Sequence, residues 1–182
     1  MVRVVGGRAR GIKLDIPKGQ QVRPTPDRVR EAIFNVLAHR FPGRIHDALI
    51  LDLFAGSGAL GIEALSRGAH SVDFVEKSRD NARLIKRNAE KVGGTFLIST
   101  TDAKRFLNRS TKTYDLIFLD PPFHEGHYTS ILGQVLTTRC LSENGLVYIE
   151  SPSELALELP DGLADCFERG YGSIKVTLVT RK

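Results

Sequence analysis

The stretch LDLFAGSGALG, from Leu51 to Gly61, has the pattern of a buried strand that runs into a glycine-rich turn and then into a helix. Gly56, Gly58 and Gly61 have the spacing G-x-G-x-x-G, and Glu76 follows at the end of the next predicted strand. The glycines let a ligand approach the backbone, the helix N-terminus offers free N–H groups, and an acidic side chain can accept both hydroxyls of a ribose. The pattern therefore predicts a nucleoside-cofactor site, without choosing between a dinucleotide and S-adenosylmethionine.

The sequence around this stretch predicts an α/β fold. From about Ala48 onward, apolar runs alternate with amphipathic helices, which is typical of a parallel sheet covered on both faces. The predicted strands are Leu49–Leu53, Ser71–Glu76, Thr95–Ser99, Leu116–Asp120 and Gly145–Ile149. The predicted helices are Ala59–Arg67, Arg79–Val92, Ala103–Asn108 and Tyr128–Arg139. A closing hairpin of Asp165–Arg169 and Ile174–Thr180 cannot be a parallel crossover, so we expect a Rossmann-like, mostly parallel, seven-stranded sheet that ends antiparallel.

The N-terminal region carries the positive charge of the chain. The net charge is +5, to which residues 1–30 contribute +6 and the other 152 residues −1. A basic segment ahead of a near-neutral body indicates contacts with phosphates. The candidates are Arg8, Arg10, Arg23, Arg28 and Arg30.

The same region predicts a small β-arm and a helix. Val2–Val5 and Ile12–Ile16 have the pattern of a short antiparallel pair. The helix that follows is expected to have Thr25 as its cap and Pro26 at its first position. Its apolar face, which excludes Arg28 and Arg30, consists of Val29, Ile33, Val36 and Leu37.

Length and composition favour one globular unit with a small appendage. The chain has 182 residues, of which 41% are hydrophobic, and this is enough for a core without disulfides or metals. We expect residues 1–44 to form a basic arm and capping helix, a lid over RNA or cofactor, and residues 45–182 to form the main domain. Cys140 and Cys166 have no zinc or redox spacing, so no metal is expected. No apolar run approaches the ~18 residues of a membrane span, and no signal peptide is recognised, so we expect a cytoplasmic protein.

A second motif, LIFLDPPF from Leu116 to Phe123, ends the fourth predicted strand of the sheet. Ligands of open α/β sheets lie beyond the carboxyl ends of the strands, so Asp120 and the glycine turn are expected to open into one crevice. Two prolines stop the strand and fix the loop, so the Asp120 carboxylate and the Pro121 carbonyl point outward as acceptors beside Phe123. An exocyclic amino group has two N–H bonds to give and a π face to stack. The motif therefore favours transfer of a methyl group to the amine of a base.

Asp120–Phe123 resembles the signature of the amino-methyltransferases of the class I S-adenosylmethionine fold. Together with the N-terminal Gly-Gly-x-x-Arg-Gly, Arg23–Glu31 and Asp52–Ala64, it resembles the RsmD family, the 16S ribosomal RNA guanine-N2 methyltransferases. This resemblance implies S-adenosyl-L-methionine as cofactor, with S-adenosyl-L-homocysteine as its product. It also implies a substrate in 16S rRNA of the small ribosomal subunit or its assembly intermediate, and we expect a monomer.

The resemblance assigns roles to individual residues. Asp52, Gly56 and Gly58 would line the methionine end of the cofactor, Glu76 would hold the ribose, and Asp102 would accept from the adenine amino group. The remaining cofactor-binding candidates are Phe54, Lys77 and Ala103, and the catalytic candidates are Asp120, Pro121 and Phe123. Phe54 replaces a glycine found in many class I enzymes, and Phe123 replaces the commoner tyrosine of the family. Stacking survives both changes, whereas a role for a tyrosine hydroxyl does not.

Other functions account for fewer of these features. A DNA or RNA adenine-N6 methyltransferase would share the Asp120–Phe123 motif, but only 59 residues follow Phe123, too few for a target-recognition domain. A protein-glutamine methyltransferase has no use for the basic arm. A nicotinamide dehydrogenase explains Gly56–Gly61 and Glu76, but neither Asp120–Phe123 nor the arm. A non-catalytic RNA-binding or ribosome-assembly factor that retains the crevice stays open as an alternative.

Overall fold

The structure is a computed structural model, and it describes residues 2–17, 25–122 and 128–182. A short β-arm and one helix precede the sheet, and they comprise β1 (Val2–Arg3), β2 (Lys13–Leu14) and α1 (Asp27–Arg40). The main unit alternates strands and helices in the order β3 (Leu49–Asp52), α2 (Ala59–Ser66), β4 (Ser71–Val75), α3 (Arg79–Val92), β5 (Thr95–Ser99), α4 (Ala103–Leu107), β6 (Tyr114–Leu119), α5 (Tyr128–Thr137), β7 (Leu141–Pro152), β8 (Leu163–Tyr171) and β9 (Ile174–Arg181).

Seven strands form one sheet in the order β5-β4-β3-β6-β7-β9-β8. The five strands from β5 to β7 are parallel, and β9 and β8 are antiparallel to their neighbours. The predicted α/β fold with its antiparallel C-terminal hairpin is therefore confirmed. Strand order reverses between β3 and β6, and such a switch point opens a crevice at the carboxyl ends of the strands.

The sheet has a hydrophobic core on each face. One core packs strand residues such as Ile50 and Phe118 against α1, α2 and α3. The other packs Leu51 and Ile117 against α4 and α5. Neighbouring strand residues thus alternate between two buried faces, which explains why the central strands are continuous apolar runs in the sequence.

The N-terminal arm lies on α2 and contributes to the first of these cores. Val2 pairs with Leu14 in an antiparallel ladder, as predicted, and both side chains are buried with those of α1. The Ser66 hydroxyl donates to the Gly6 carbonyl over 2.6 Å and accepts from the Ala9 N–H over 3.0 Å. The arm and the sheet thus share one core. The boundary predicted between residues 44 and 45 stays a prediction.

The start of α1 differs from the prediction in one respect. Pro26 is the cap residue and the helix begins at Asp27, without a side-chain cap. The Thr25 hydroxyl instead donates to Glu150 Oε2 over 2.8 Å. The prediction of Thr25 as a cap was therefore wrong, because its hydroxyl is hydrogen-bonded to a buried carboxylate in β7.

Arg30 was also placed wrongly as a contact for RNA. Its side chain is fully buried, where Nη2 donates to Asp27 Oδ1 over 2.8 Å and to the Arg3 carbonyl, and Nη1 donates to the Thr25 carbonyl over 3.2 Å. The Glu63 carboxylate, also buried, lies 3.9 Å from Arg30 Nε. The cation therefore ties the arm to α1 and α2, and no part of it reaches the surface.

Candidate functional site

The glycine turn between β3 and α2 has the geometry that its spacing predicts. Gly56 and Gly58 have φ values of 54° and 81°, in the left-handed region that glycine adopts without strain. A Cβ on Gly61 would lie 2.4 Å from the Phe74 ring, so this position is glycine for close packing of α2 on β4. Helix α2 starts directly after this turn, so the N–H groups of its first turn lie at the carboxyl end of the sheet.

Glu76 follows β4 and is fixed by the backbone on two sides. Its Oε2 accepts from the Gly56 N–H over 2.9 Å, and its Oε1 accepts from the Ser78 N–H over 2.7 Å. Each carboxylate oxygen keeps a lone pair for a further donor. The glycine turn and Glu76 are therefore one hydrogen-bonded unit, and Lys77 follows it directly in the chain.

The other cofactor candidates are at the same edge. Asp102 follows β5 and caps α4, where its Oδ1 accepts from the N–H groups of Lys104 and Arg105 over 2.9 and 3.2 Å. Asp102 is exposed, whereas the Ala103 side chain is buried against the second core. Phe54 is partly buried against the same core. The cofactor candidates thus lie along the ends of three adjacent strands, β3, β4 and β5.

Asp52 ends β3 beneath the glycine turn. Its Oδ2 accepts from the Gly61 N–H over 3.0 Å, and only 2% of the residue is exposed. Burial raises the pKa of Asp52 to about 7, the Gly61 hydrogen bond opposes this rise, and the charge of Glu76 adds to it. A cation bound at this point would favour the charged carboxylate.

Asp120 directly follows β6, and Pro121 is buried behind it. The pKa of Asp120 is raised well above its usual range, first by burial and then by the charges of Glu150 and Asp52. Asp120 is therefore a more basic carboxylate than one in water, and a stronger acceptor of protons. Phe123, the third catalytic candidate, lies outside the described residues.

Glu150 is a buried carboxylate that the sequence interpretation missed. In the β6–β7 ladder, Leu119 pairs with Ile149, so Glu150 stands beside Asp120 in the next position. Its Oε2 accepts from the hydroxyls of Thr25 and Tyr148 over 2.8 and 2.9 Å. A glutamate after an apolar run resembles the exposed end of a strand, and β7 in fact continues to Pro152 because it pairs with β9.

The arm contacts the glycine turn through Asn88, another residue that sequence reasoning missed. Asn88 is buried in α3, accepts from the Asp15 N–H over 2.9 Å, and donates to the carbonyls of Asp15 and Ser57 over 2.9 and 3.3 Å. The chain beyond β2 is therefore attached to the turn that carries Gly56 and Gly58.

The charge of the crevice fits a cationic ligand. Asp52 and Asp120 are surrounded by other carboxylates, and in the described part of the chain neither forms a salt bridge. S-adenosylmethionine carries a sulfonium and an ammonium group, and such positive charge would balance these carboxylates. Among the described residues, no group of three or more metal-ligating side chains occurs.

The exposed arginines of the arm are divided between two ends of the molecule. Arg8 Nη2 donates to the Gly93 carbonyl over 2.9 Å, where α3 ends, and Arg10 lies in the same turn of the chain. This end is opposite to the crevice, because α2 and α3 start at the crevice and run away from it. Arg28 is exposed in the first turn of α1, close in sequence to Thr25. Arg23 lies outside the described residues.

Comparisons with known proteins find relatives that match most of this chain. A family model described as "Conserved hypothetical protein 95" matches residues 2–180. The ribosomal RNA small subunit methyltransferase D of Escherichia coli K12 is 40% identical over 157 residues, 86% of this chain and 77% of that protein. The enzyme of the same name from Haemophilus influenzae is 33% identical over 187 residues, 97% of this chain and 92% of that protein.

A solved structure from Escherichia coli that carries a methyltransferase name has the same fold. It superposes with a TM-score of 0.88 at 36% identity, covering 100% of this chain and 98% of that one. The likeness includes the basic arm as well as the sheet. No helix within the described ranges is long and apolar enough to cross a membrane.

Proposed function

This chain belongs to the RsmD family of ribosomal RNA small subunit methyltransferases, and we propose that it transfers a methyl group from S-adenosylmethionine to the exocyclic N2 of a guanine in 16S rRNA. The observation that carries the proposal is the position of Asp120. Asp120 follows β6, at the same edge of the sheet where the glycine turn follows β3 and Glu76 follows β4. An acceptor amine and a cofactor would therefore meet between adjacent strands.

The cofactor is held by the ends of β3, β4 and β5. Asp52 faces its positive charge, Gly56 and Gly58 allow close approach of the backbone, and Glu76 accepts from the ribose hydroxyls. Asp102 has one carboxylate oxygen, Oδ1, engaged in the cap of α4, and it accepts from the adenine amino group with the other. When bound, S-adenosylmethionine supplies an electrophilic methyl group, and the product is S-adenosylhomocysteine.

The acceptor base is held by Asp120, Pro121 and Phe123. The N2 lone pair of guanine is delocalised into the ring, so hydrogen bonds from its protons to Asp120 and to the Pro121 carbonyl localise electron density on nitrogen. Phe123 provides a stacking face for a base that has left its stack. Orientation of this kind can recover ~7–11 kcal/mol of a reaction barrier.

The substrate is the RNA of the small ribosomal subunit, as the assembled particle or an assembly intermediate. The specificity of the protein comes from folded RNA around a splayed base. Arg28, exposed in the first turn of α1, contacts phosphates near the crevice, and Arg23 is a second phosphate contact. The protein acts as a monomer, in the cytoplasm where this substrate is.

Mass spectrometry of ribosomal RNA nucleosides tests this function. Cells without the gene are expected to lose N2-methylguanosine at one site of 16S rRNA, and the purified protein with S-adenosylmethionine should restore it. Small-subunit particles should be better substrates than a bare hairpin of the same sequence. Loss of N6-methyladenosine instead would identify an adenine methyltransferase, and unchanged nucleosides would identify a non-catalytic assembly factor.

A further inference from the structure

Glu150 is the buried charge of the acceptor end that the proposed function does not use. It is 2% exposed, although it lies beside Asp120 at the end of β6. Burial of a carboxylate is costly unless hydrogen bonds compensate for the lost water. The residues around Glu150 therefore indicate what charge it carries and what it acts on.

Two hydroxyl groups hold the Glu150 carboxylate. Thr25 and Tyr148 both donate to Oε2, from the segment ahead of α1 and from β7 itself. The Tyr128 hydroxyl at the start of α5 donates to the Glu150 carbonyl over 3.1 Å, which fixes the backbone as well. Three elements thus meet at this one residue.

The charged groups near Glu150 differ between its two sides. Burial raises the pKa of Glu150, and the hydrogen bonds from Thr25 and Tyr148, followed by the charge of Arg30 on its α1 side, oppose this rise. Arg30 is shared, however, with Asp27 and Glu63. On the β6 side, the neighbour of Glu150 is the carboxyl of Asp120, which is itself close to Asp52. Against the effect of burial, the two hydroxyl donors therefore stabilise the anionic form of Glu150 more than the charge of Arg30 does.

We propose that Glu150 is a positioning residue that acts through Asp120: held by Thr25 and Tyr148, its carboxylate makes Asp120 the proton acceptor for the target amine. The inference rests on the proposed function and specifies how its acceptor end works. A carboxylate beside Asp120 disfavours a second negative charge, so Asp120 binds a proton more tightly than an isolated aspartate would.

A more basic Asp120 matches what the reaction needs. Methyl transfer forms a bond between guanine N2 and the methyl carbon, and the carbon–sulfur bond breaks with its electron pair left on sulfur. Nitrogen then carries a positive charge and must lose one proton, which passes to the Asp120 carboxylate and later to water. The efficiency of such a transfer follows the basicity of the acceptor. Glu150 raises that basicity without contacting the substrate.

The test is a pH profile of single-turnover methyl transfer to small-subunit particles, at saturating S-adenosylmethionine. For the wild type, the rate should fall on the acid side as Asp120 becomes protonated. Glu150→Gln keeps the size and an acceptor oxygen but removes the charge. We expect its acid limb to move to lower pH by about one unit and its plateau rate to fall about threefold to tenfold. The affinity for S-adenosylmethionine should change by less than about twofold, because Glu150 lies at the acceptor end.

Variants of the two donors extend the test if Glu150→Gln does not fold. Thr25→Val and Tyr148→Phe each remove one hydrogen bond that favours the charge, so each should shift the acid limb in the same direction by a smaller amount. Thr25→Ser retains the hydroxyl and should restore the wild-type profile. Thr177→Val and Tyr114→Phe are matched controls, since both remove buried hydroxyls whose partners, Glu168 and Asp73, lie away from the crevice.

The outcomes separate the inference from the function on which it rests. A shifted acid limb in Glu150→Gln, with Thr25→Ser like the wild type, supports the inference. If Glu150→Gln has the wild-type midpoint, or lowers the rate equally at every pH in step with its melting temperature, Glu150 is structural and the inference fails. If the wild type itself methylates no particle, the proposed function has failed instead.

Discussion

The two ends of the crevice stabilise charge by different means. At the cofactor end, backbone N–H groups hold the carboxylates: those of Gly56 and Ser78 donate to Glu76, and that of Gly61 donates to Asp52. At the acceptor end, the Glu150 carboxylate beside Asp120 is held instead by two side-chain hydroxyls, that of Tyr148 in β7 and that of the distant Thr25. Backbone donors fix a site for binding, whereas a side-chain network can adjust how strongly one carboxylate holds a proton.

This difference predicts that the largest effect on catalysis comes from Asp120 and leaves cofactor binding intact. Asp120→Ala should lower the single-turnover rate by roughly 10²–10³, the scale for losing one preorganised electrostatic contact. Asp120→Asn should retain more activity, because its amide oxygen still accepts a hydrogen bond. Rapid-quench methyl transfer and calorimetry with S-adenosylmethionine measure the two quantities. A wild-type rate in Asp120→Ala would mean that the amine is held elsewhere.

The converse is expected for residues of the cofactor end. Glu76→Ala and Asp102→Ala should each weaken S-adenosylmethionine binding by roughly 1–3 kcal/mol, the scale for losing hydrogen bonds to a charged or buried group. At saturating cofactor their rates should approach that of the wild type. Glu154→Ala, an exposed carboxylate beyond β7, is the control for loss of charge alone. Normal binding in both variants would place the cofactor in another part of the protein.

The pKa of Asp52 predicts how cofactor affinity depends on pH. In the free protein this carboxyl is protonated below about pH 7. Because a bound cation favours the carboxylate, binding of S-adenosylmethionine should release a proton. Its affinity should therefore rise with pH, by at most about tenfold per unit, and level off above the pKa.

S-adenosylhomocysteine and Asp52→Asn sharpen this prediction. The product lacks the sulfonium charge, so its affinity should depend on pH less steeply than that of the cofactor. Asp52→Asn cannot titrate and should flatten both curves. Calorimetry in buffers of different ionisation enthalpy counts the protons released. Parallel pH curves for the two ligands in the wild-type protein would show that Asp52 does not sense the sulfonium.

The smallest effect is expected from single arginines, and it depends on where they lie. Arg28→Ala should lower the slope of log affinity against log salt for RNA by ~0.7–0.9, the value for one phosphate contact. Arg10→Ala is the matched control at the opposite end of the molecule and should leave the slope unchanged. Fluorescence titrations of small-subunit RNA at several salt concentrations measure both. Equal slopes for the two variants would put RNA on both ends, or on neither.

The cofactor end of the crevice could be predicted from the sequence more fully than the acceptor end. The helix Arg79–Val92 and the strand Thr95–Ser99 have the bounds read from the sequence, because a cap, a glycine stop and a hydrophobic period are local signals. The turn from Gly56 to Gly61 was predictable for the same reason. These features need only neighbouring residues to agree with one another.

The acceptor end could not be read in this way. Glu150 is separated by 125 residues from Thr25, and no local pattern marks either as part of a site. Arg30 was expected at the surface because arginines usually are, yet carbonyls and carboxylates of the arm and α2 enclose it. Charge alone predicts that a basic arm meets phosphates, but only the fold says which arginines it leaves free.

The hydrogen bond between Thr25 and Glu150 also bears on the order in which the protein is completed during its synthesis. Thr25 must wait for 125 further residues before its partner exists, about 6 to 25 seconds at ~5–20 residues per second. The glycine turn and Glu76 are joined much earlier, over 20 residues. During synthesis, the partners that hold the cofactor end therefore exist long before those that hold Glu150 at the acceptor end.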